Sequence, residues 1–110
     1  SVMFTNASDS GIDPGQFVKD MRRKNKLIMG IGHRIKSLIN PDKRVEIIKE
    51  YALANFEDNT ILKFALGVEQ ITTKKKENLI LNVDGCIAVC FVDMMRSCGA
   101  FTTDESNELV

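Results

Sequence analysis

Hydrophobic residues recur every three or four positions along most of the chain, and this spacing places them on one face of an α-helix. The first such pattern follows Asp13, a helix cap with Pro14 at the first helical position and Gln16 as a capping-box partner. The pattern predicts a helix of about three turns that ends near Lys24. The buried positions predicted for this helix are Phe17, Val18 and Met21.

Two more amphipathic helices are predicted in the middle of the chain. The second begins with Asn40 as its N-cap and with Asp42 as an acid in its first turn. The third begins at the polar residues 58–60. The buried stripe predicted for the second helix is Val45, Ile48, Tyr51, Ala52 and Phe56, and that for the third is Ile61, Phe64, Ala65, Val68 and Ile71.

The last third of the chain contains its most apolar stretch. Residues 86–95 are apolar on most faces, with Asp93 the exception, and they predict the central buried helix. Gly99 is in the position of the C′ residue of this helix. Residues 102–105 form a capping-box pattern that begins a further helix near the end of the sequence. The predicted fold class is therefore all-α.

The remaining segments connect these helices. Residues 27–32 are apolar and contain glycine, which predicts a loop or a short extended turn. Residues 72–78 are predicted to be a polar linker, and residues 79–81 form a short apolar run that is compatible with an extended segment. No element is predicted for residues 1–12.

Composition limits the function classes. The chain has 110 residues, 44% of them hydrophobic, and a mean hydropathy of −0.09, so we expect one globular domain. Fifteen basic residues balance fifteen acidic ones, and no global field favours nucleic acid or an anionic membrane. The strongest apolar run, residues 86–92, is too short to span a bilayer, and no signal peptide is visible. We therefore expect a cytoplasmic protein without a nucleic-acid or membrane partner.

The cysteines add no metal site. Cys86 and Cys90 are four residues apart in the apolar run, which is typical of small buried hydrophobic residues. No histidine or further cysteine lies at zinc-ligand spacing from them. We also expect the chain to be a piece of a larger protein, because it has no initiator methionine and its last predicted helix is cut short.

His33 is the only histidine of the chain, and histidine is the side chain whose ordinary pKa lies near neutrality. A lone histidine is more often a satisfied core or cap residue than a catalytic one. Two features favour anion handling instead. Gly30 and Gly32 permit close approach of the backbone to a ligand, and cations follow His33, including arginines whose planar fork suits carboxylates. These cations are Arg34, Lys36 and Arg44.

Asp84 is the second candidate, at the beginning of the most apolar helix. Its position alone favours a helix cap or a first-turn acid. The alternative is a carboxylate whose apolar surroundings tune its pKa for general-base catalysis. Two basic clusters, residues 22–24 and 74–76, are most simply solvated surface, although together they could bracket a phosphate-bearing ligand.

Two separated motifs resemble those of a known family. Residues 26–36 (KLIMGIGHRIK), followed by residues 40–42 and Arg44, resemble the GxGHxxxK…DPR signature of the citrate synthase superfamily. Residues 78–85 (NLILNVDG) resemble the segment that carries the catalytic aspartate of that superfamily. The similarity extends from about Asp9 to Val110. The resemblance implies that residues 1–110 form a citrate synthase small-domain-like helical bundle, which is a fragment of a larger multidomain enzyme.

The residues after the aspartate indicate a branch of the superfamily. Citrate synthases proper commonly have a Ser-Gly-bearing segment there, whereas this chain has residues 85–88 (GCIA). The resemblance is therefore to the branch that cleaves citrate with ATP and coenzyme A. The alternatives are a citrate or 2-methylcitrate synthase domain, or a non-catalytic helical module whose basic clusters bind acidic partners or nucleic acid. With one tyrosine and no tryptophan, the chain offers no base-stacking platform for the last of these.

The resemblance also implies roles for individual residues. His33 would hold the oxaloacetate-side oxygen of citryl-CoA and accept its hydroxyl proton, while Asp84 would protonate the departing acetyl-CoA enolate. Arg44 would clamp a citrate carboxylate. The residues implied in coenzyme A binding, through the adenine-contacting loop and the phosphates, are Arg22, Arg23, Leu27, Ile28, Ile31, Lys75 and Lys76.

The partners follow from the same resemblance. They are citrate, citryl-CoA, coenzyme A and oxaloacetate, together with a large domain of the same chain that closes over the site. ATP and Mg²⁺ would be bound only by domains outside these residues, and no metal would be bound within them. The full-length enzyme is expected to be a cytoplasmic homo-oligomer that supplies acetyl-CoA for lipid synthesis, and the fragment alone is expected to be inactive.

Overall fold

Five α-helices account for most of the 2–37 and 39–98 ranges, which are the residues that the computed structural model describes. In chain order they are α1 (Val2–Asp9), α2 (Pro14–Arg23), α3 (Lys43–Asn55), α4 (Thr60–Lys75) and α5 (Val83–Cys98). Extended pairing within these ranges consists of two isolated bridges, Ile31 with Leu81 and Ser37 with Asn40. The predicted all-α fold class is confirmed. The helix α1 was not predicted.

The caps explain where α2 and α3 begin. Asp13 accepts the backbone N–H of Gln16 at 2.9 Å, as the capping box predicts. The prediction of Asn40 as the cap of α3 is wrong. The N-cap is Asp42, whose Oδ1 accepts the backbone N–H of Arg44 at 3.0 Å. Asn40 instead exchanges backbone hydrogen bonds with Ser37, so the chain turns once more before the helix starts.

The prediction of a polar linker at residues 72–78 is also wrong, because α4 continues to Lys75. Thr72 is buried, and its hydroxyl donates to the carbonyl oxygen of Leu79 at 2.7 Å. The chain then turns, and α5 begins at Val83. Asn82 caps α5, because its side-chain oxygen accepts the N–H of Gly85 at 2.9 Å.

The core is built around α4, which packs against α1, α2 and α5, while α3 packs against α5. Phe4, Phe17 and Phe64, from three different helices, contact one another with ring centroids 5.6 to 6.2 Å apart. These contacts explain why α1 forms, since its short sequence is anchored by Phe4, which is 1% exposed.

Two predictions about burial are wrong. Tyr51 is 62% exposed and does not belong to the buried stripe of α3. The helix α5 is not buried on all sides, because Ile87, Phe91 and Met94 are exposed on its outer face. The predicted C′ role of Gly99 and the predicted last helix lie outside the described residues.

Asp93 is fully buried on the inner face of α5. Its two carboxylate oxygens accept the backbone N–H groups of Ile61 and Leu62 at 3.1 and 2.9 Å, so it satisfies the first turn of α4. Burial raises the pKa of Asp93 to about 6, although these two hydrogen bonds act in the opposite direction. No described helix is both long and apolar enough to cross a membrane.

Candidate active site

The loop that contains His33 pairs side by side with the segment that leads into α5. Gly32 donates its N–H to the carbonyl oxygen of Ile80 at 2.8 Å, and His33 donates its N–H to that of Asn78 at 3.0 Å. Asn82 donates its N–H to the carbonyl oxygen of Gly30 at 2.8 Å. Two segments about fifty positions apart in the sequence are therefore held in fixed register.

Two glycines allow this close approach. Gly30 has a φ of +92°, a conformation that residues with a Cβ rarely adopt. A Cβ built on Gly30 would lie 3.0 Å from the Cα of Gly85, and one built on Gly85 would lie 2.7 Å from the Cα and O atoms of Gly30. The first turn of α5 consequently lies directly against the loop.

The opposite edge of the segment 79–81 is held by side chains of α4. Glu69 accepts the N–H of Leu81 at 2.7 Å, and Thr72 donates to the carbonyl oxygen of Leu79 at 2.7 Å. These two side chains take the place that a neighbouring strand would have in a sheet. The segment before α5 is thus fixed on both edges.

His33 is half-buried, and its ring is oriented by the backbone of the following turn. Its Nδ1 atom accepts the N–H groups of Ile35 at 3.0 Å and Lys36 at 2.9 Å. Because both partners are donors, Nδ1 must supply a lone pair, and a neutral ring then carries its proton on Nε2. In this conformation His33 presents an N–H donor, with Nε2 as the donating atom.

Asp84 lies in the first turn of α5 and is exposed. Because Asn82 is the cap, the reading of Asp84 as the cap is wrong, and the position of Asp84 matches the alternative of a first-turn acid. A carboxylate there is favoured by the positive end of the helix dipole. Asp84 remains available to interact with groups outside its own helix.

Asp42 and Arg44 form an oriented ion pair at the start of α3. Arg44 donates from Nε to Oδ1 at 3.1 Å and from Nη2 to Oδ2 at 2.8 Å. The hydrogen bond from the Arg44 side chain holds the pKa of Asp42 down to about 2, and His33 adds a smaller lowering. The pKa of Arg44 is raised by its hydrogen bond with Asp42, and the charge of Asp84 adds to this effect. Both His33 and Asp84 are therefore within electrostatic range of this pair.

A cleft of about 500 Å³ lies beside the loop, between it and the ends of α2 and α4. It is lined by five of the seven residues that the resemblance implies in coenzyme A binding: Arg22, Leu27, Ile28, Ile31 and Lys75. The other two do not line it. Arg23 binds Asp20 on the surface of α2, and Lys76 is the exposed C-cap of α4.

The donor set of the described residues offers no metal centre. No group of three or more histidine, cysteine, aspartate or glutamate side chains comes together within the 2–37 and 39–98 ranges. Cys86 and Cys90 are buried thiols, as predicted, and Cys98 is an exposed one. The candidate site is therefore built from a histidine, two carboxylates and an arginine.

Several residues that shape the site were missed by the sequence analysis. Asn78 donates its amide N–H to the carbonyl oxygen of His33 at 3.1 Å, and Asn82 donates to that of Gly32 at 3.1 Å. Glu69 and Thr72, whose side chains hold the segment 79–81, are two further such residues. An asparagine directly before an apolar helix is a cap signal that could have identified Asn82, whereas the contacts of the others depend on the tertiary fold.

Comparison with known proteins identifies the class of this chain. Residues 2–103 match the family model described as the citrate synthase C-terminal domain. The chain therefore belongs to the citrate synthase family.

Individual relatives of the chain within this family are ATP-citrate synthases. The chain is similar to a probable ATP-citrate synthase subunit 1 of Neurospora crassa, with 61% identity over 105 residues that cover 96% of this chain and 16% of the relative. It is also similar to the ATP-citrate synthase of Homo sapiens, with 57% identity over 108 residues that cover 98% of this chain and 10% of the relative. The chain thus spans only a small part of the length of these relatives.

Solved structures agree with this similarity. A structure of ATP citrate lyase from Methanothrix soehngenii, in complex with citrate and coenzyme A, matches with a TM-score of 0.94 and 53% identity. An aspartate-to-alanine variant of Methanosaeta concilii ATP citrate lyase, in complex with (3S)-citryl-CoA, matches with a TM-score of 0.93 and 52% identity. Each match covers 97% of this chain and 17% of the other chain.

Proposed function

We propose that this chain is the citrate-synthase-like small domain of a longer ATP-citrate synthase. It would supply part of the site at which citryl-CoA is cleaved to acetyl-CoA and oxaloacetate. The observation that carries the proposal is the hydrogen-bonded pairing of the loop of His33 with the segment that leads into the first turn of α5, where Asp84 lies, in a chain that is 57% to 61% identical to segments of ATP-citrate synthases.

The chemistry requires two titratable groups on opposite sides of the carbon–carbon bond that breaks. The hydroxyl of the citryl group loses its proton as the bond breaks, and the acetyl-CoA enolate gains a proton at carbon. We assign protonation of the enolate carbon to Asp84 and handling of the hydroxyl oxygen to His33. In the condensation direction Asp84 would instead remove the proton from the methyl group of acetyl-CoA.

The hydrogen bonds of His33 add a condition to this assignment. With Nδ1 engaged by Ile35 and Lys36, the neutral ring can donate from Nε2 to the substrate oxygen. For Nε2 to accept the hydroxyl proton, the ring proton must first move to Nδ1. The N–H groups of Ile35 and Lys36 can then no longer donate to Nδ1, and both hydrogen bonds must break. We therefore expect the turn at residues 33–36 to rearrange when the site closes.

Arg44 is suited to hold a carboxylate of citrate. Its Nε and Nη2 atoms bind Asp42, so the edge that contains Nη1 faces away from that residue. A second carboxylate can bind along this edge with the bidentate geometry that arginine favours.

Coenzyme A would occupy the cleft of about 500 Å³ beside the loop. The backbone and side chains of Leu27, Ile28 and Ile31 offer an apolar surface for the adenine, and Arg22 and Lys75 offer cations for the phosphates. We retain Arg23 and Lys76 as phosphate partners because their long side chains lie next to these cations in the sequence.

The site would be completed by a large domain of the same protein. Large apolar residues are exposed around the loop that carries His33, including Leu27 at 88% and Ile35 at 75% exposure, together with Met29 and Ile39. Exposed apolar surface of this kind supports a covering partner. We further propose that the fragment is inactive alone, and that ATP and Mg²⁺ bind to other domains. The full-length protein would be a cytoplasmic homo-oligomer whose acetyl-CoA serves lipid synthesis.

The test is the Asp84→Asn variant of a full-length ATP-citrate synthase that contains this chain. We expect cleavage of citryl-CoA to fall by a factor of about 10³ or more, because the group that protonates the enolate is lost. The ATP-dependent phosphorylation of citrate should continue at its usual rate. Both steps can be followed separately, by release of oxaloacetate and by incorporation of labelled phosphate.

Near-normal cleavage by Asp84→Asn would contradict the assigned role. A full-length enzyme that condenses oxaloacetate with acetyl-CoA or propionyl-CoA, and has no ATP-dependent cleavage activity, would instead identify a citrate or 2-methylcitrate synthase.

A further inference from the structure

Asn82 is bonded both to the loop of His33 and to the helix of Asp84. Towards the loop, its backbone N–H donates to the carbonyl oxygen of Gly30 at 2.8 Å, and its side-chain amide donates to that of Gly32 at 3.1 Å. Towards α5, its side-chain oxygen accepts the N–H of Gly85 at 2.9 Å, and its backbone oxygen accepts that of Cys86 at 2.9 Å.

The residues bonded by Asn82 are direct neighbours of the two candidate catalytic residues. Gly32 precedes His33 in the loop, and Gly85 follows Asp84 in α5. The side chain of Asn82 thus spans the gap between the two backbones with a single planar amide, whose N–H group and oxygen point to opposite sides. Rotation of the loop relative to α5 would break at least one of these bonds.

Asn78 provides a natural comparison. Its side-chain amide donates to the carbonyl oxygen of His33 at 3.1 Å, the same distance as the bond from Asn82 to Gly32. Both asparagines are half-buried, and both tether the same loop. Asn78, however, precedes the segment at residues 79–81, whereas Asn82 is the cap of α5 itself.

We propose that Asn82 is a positioning residue that sets the distance and orientation between His33 and Asp84. It does so with its side-chain amide, which ties the loop at Gly32 to the first turn of α5 at Gly85. This proposal depends on the proposed function, because it assumes that His33 and Asp84 act on the same substrate. Asn82 would not itself transfer a proton.

The test separates the two hydrogen bonds of the Asn82 side chain, the one to Gly32 and the one that caps α5. In a full-length ATP-citrate synthase that contains this chain, Asn82→Ser keeps a hydroxyl that can cap α5 but is too short to reach Gly32. Asn82→Asp keeps the size and the capping oxygen but replaces the donor to Gly32 by an acceptor. Asn78→Ser is the matched control, since it removes a tether of equal length from the same loop.

We expect kcat for citryl-CoA cleavage to fall about tenfold or more in Asn82→Ser and Asn82→Asp, because small errors in the placement of catalytic groups have large effects on rate. KM for citryl-CoA should change by less than about threefold, since the residues that bind the substrate are retained. In Asn78→Ser, which loosens the loop but leaves Asn82 bonded to both backbones, we expect a clearly smaller fall in kcat than in Asn82→Ser. Melting temperatures of Asn82→Ser and Asn78→Ser should fall by similar amounts, because each loses one comparable hydrogen bond.

Equal losses of kcat in Asn82→Ser and Asn78→Ser would overturn the proposal, because the effect would then follow from loosening of the loop in general. A kcat of Asn82→Ser within about twofold of wild type would also overturn it. Failure of the proposed function is distinguishable, because the Asp84→Asn variant would then retain cleavage. If Asp84→Asn loses cleavage while Asn82→Ser keeps it, only the positioning role is wrong.

Discussion

Asp42 orients the guanidinium of Arg44, the group that we propose holds a substrate carboxylate. The pair is bidentate, and the hydrogen bond from Arg44 holds the pKa of Asp42 to about 2. Because this folded-state pKa lies below the ordinary value, the stabilising effect of the charged carboxylate is present above about pH 4 and is lost as the pH falls towards 2. The ion pair therefore stays intact at every pH at which cleavage would be assayed.

Asp42→Asn should weaken substrate binding more than it slows chemistry. Asparagine can still cap α3 through its oxygen, but it offers only one acceptor to the guanidinium, so Arg44 loses its fixed orientation. We expect KM for citryl-CoA to rise about tenfold, with a smaller change in kcat. Steady-state kinetics of the full-length enzyme would measure both values.

The control for Asp42→Asn is Asp9→Asn. Asp9 forms a bidentate pair with Arg96, at 3.2 and 3.0 Å, between α1 and α5. A similar rise of KM in both variants would contradict a specific role of Asp42.

Asp93 should make stability depend on pH in a recognisable way. Its pKa, raised to about 6, lies above the ordinary aspartate value, so protonation stabilises the folded state. This contribution is fully present below about pH 4 and is lost as the pH rises to about 6. Asp93→Asn cannot ionise, and the difference in unfolding free energy between wild type and this variant should fall across that interval.

Chemical denaturation of the 110-residue protein at several pH values would measure this difference. The variant should also be less stable at every pH, because the NH₂ group of asparagine cannot accept the second of the N–H groups of Ile61 and Leu62. A difference that does not change between pH 4 and 6 would show that Asp93 keeps an ordinary pKa.

At the scale of elements, the contact between Gly30 and Gly85 determines how closely α5 approaches the loop. Gly30→Ala combines a strained φ of +92° with a Cβ only 3.0 Å from the Cα of Gly85. Gly32→Ala has a comparable φ of +110°, but its Cβ would lie 3.8 Å from the Cδ2 atom of Leu79, which is an ordinary van der Waals contact. The two variants therefore share the backbone strain and differ in the close contact.

We expect Gly32→Ala to lower the unfolding free energy by about 1–2 kcal/mol through backbone strain, and Gly30→Ala to lower it by at least about 1 kcal/mol more. Thermal or urea unfolding would measure the difference. Equal destabilisation would mean that α5 can move away from the loop at little cost.

Helices with local capping signals were predictable from sequence. The Asp13 cap and the apolar face of α2 were both confirmed. The wrong predictions concern segments whose structure depends on contacts with distant parts of the chain. The short α1 is anchored by Phe4 against other helices, and the polar end of α4 stays helical because Thr72 binds the neighbouring segment. Asp42 prevails over Asn40 as the cap because it also binds Arg44.

The candidate site was only partly predictable for the same reason. The candidate catalytic residues, His33 and Asp84, were proposed from motifs, and five of the seven residues predicted to bind coenzyme A line the cleft. The supporting residues were not, because Glu69 and Asn78 make bonds to backbone groups that are distant in the sequence. Nothing in a local pattern indicates such a partner.

For the whole molecule, the question is which exposed apolar residues a second domain covers, and Ile35 is the exposed apolar residue nearest to His33 in the sequence. We expect Ile35→Asp to lower kcat/KM for citryl-CoA cleavage at least tenfold in the full-length enzyme, because a charge at this position would hinder the second domain from closing over the loop. The matched control is Ile47→Asp on α3. Ile47 has a similar exposure, 66% against 75%, but lines a separate groove between α3 and α5 that shares no residue with the cleft beside the loop.

If a second domain closes over the loop of His33, Ile47→Asp should leave kcat/KM within about threefold of wild type. Equal losses in the two variants would indicate that both surfaces are general contacts of the longer protein, and would remove the support that the exposed residues give to closure over this site.

We propose that His33 and Asp84 act on one citryl group from opposite sides. The most direct measurement is a crystal structure of the full-length Asp84→Asn variant with citryl-CoA. The account predicts the His33 imidazole within hydrogen-bond distance of the citryl hydroxyl oxygen, and the side chain at position 84 next to the acetyl carbon. A citryl group bound away from either residue would contradict the account.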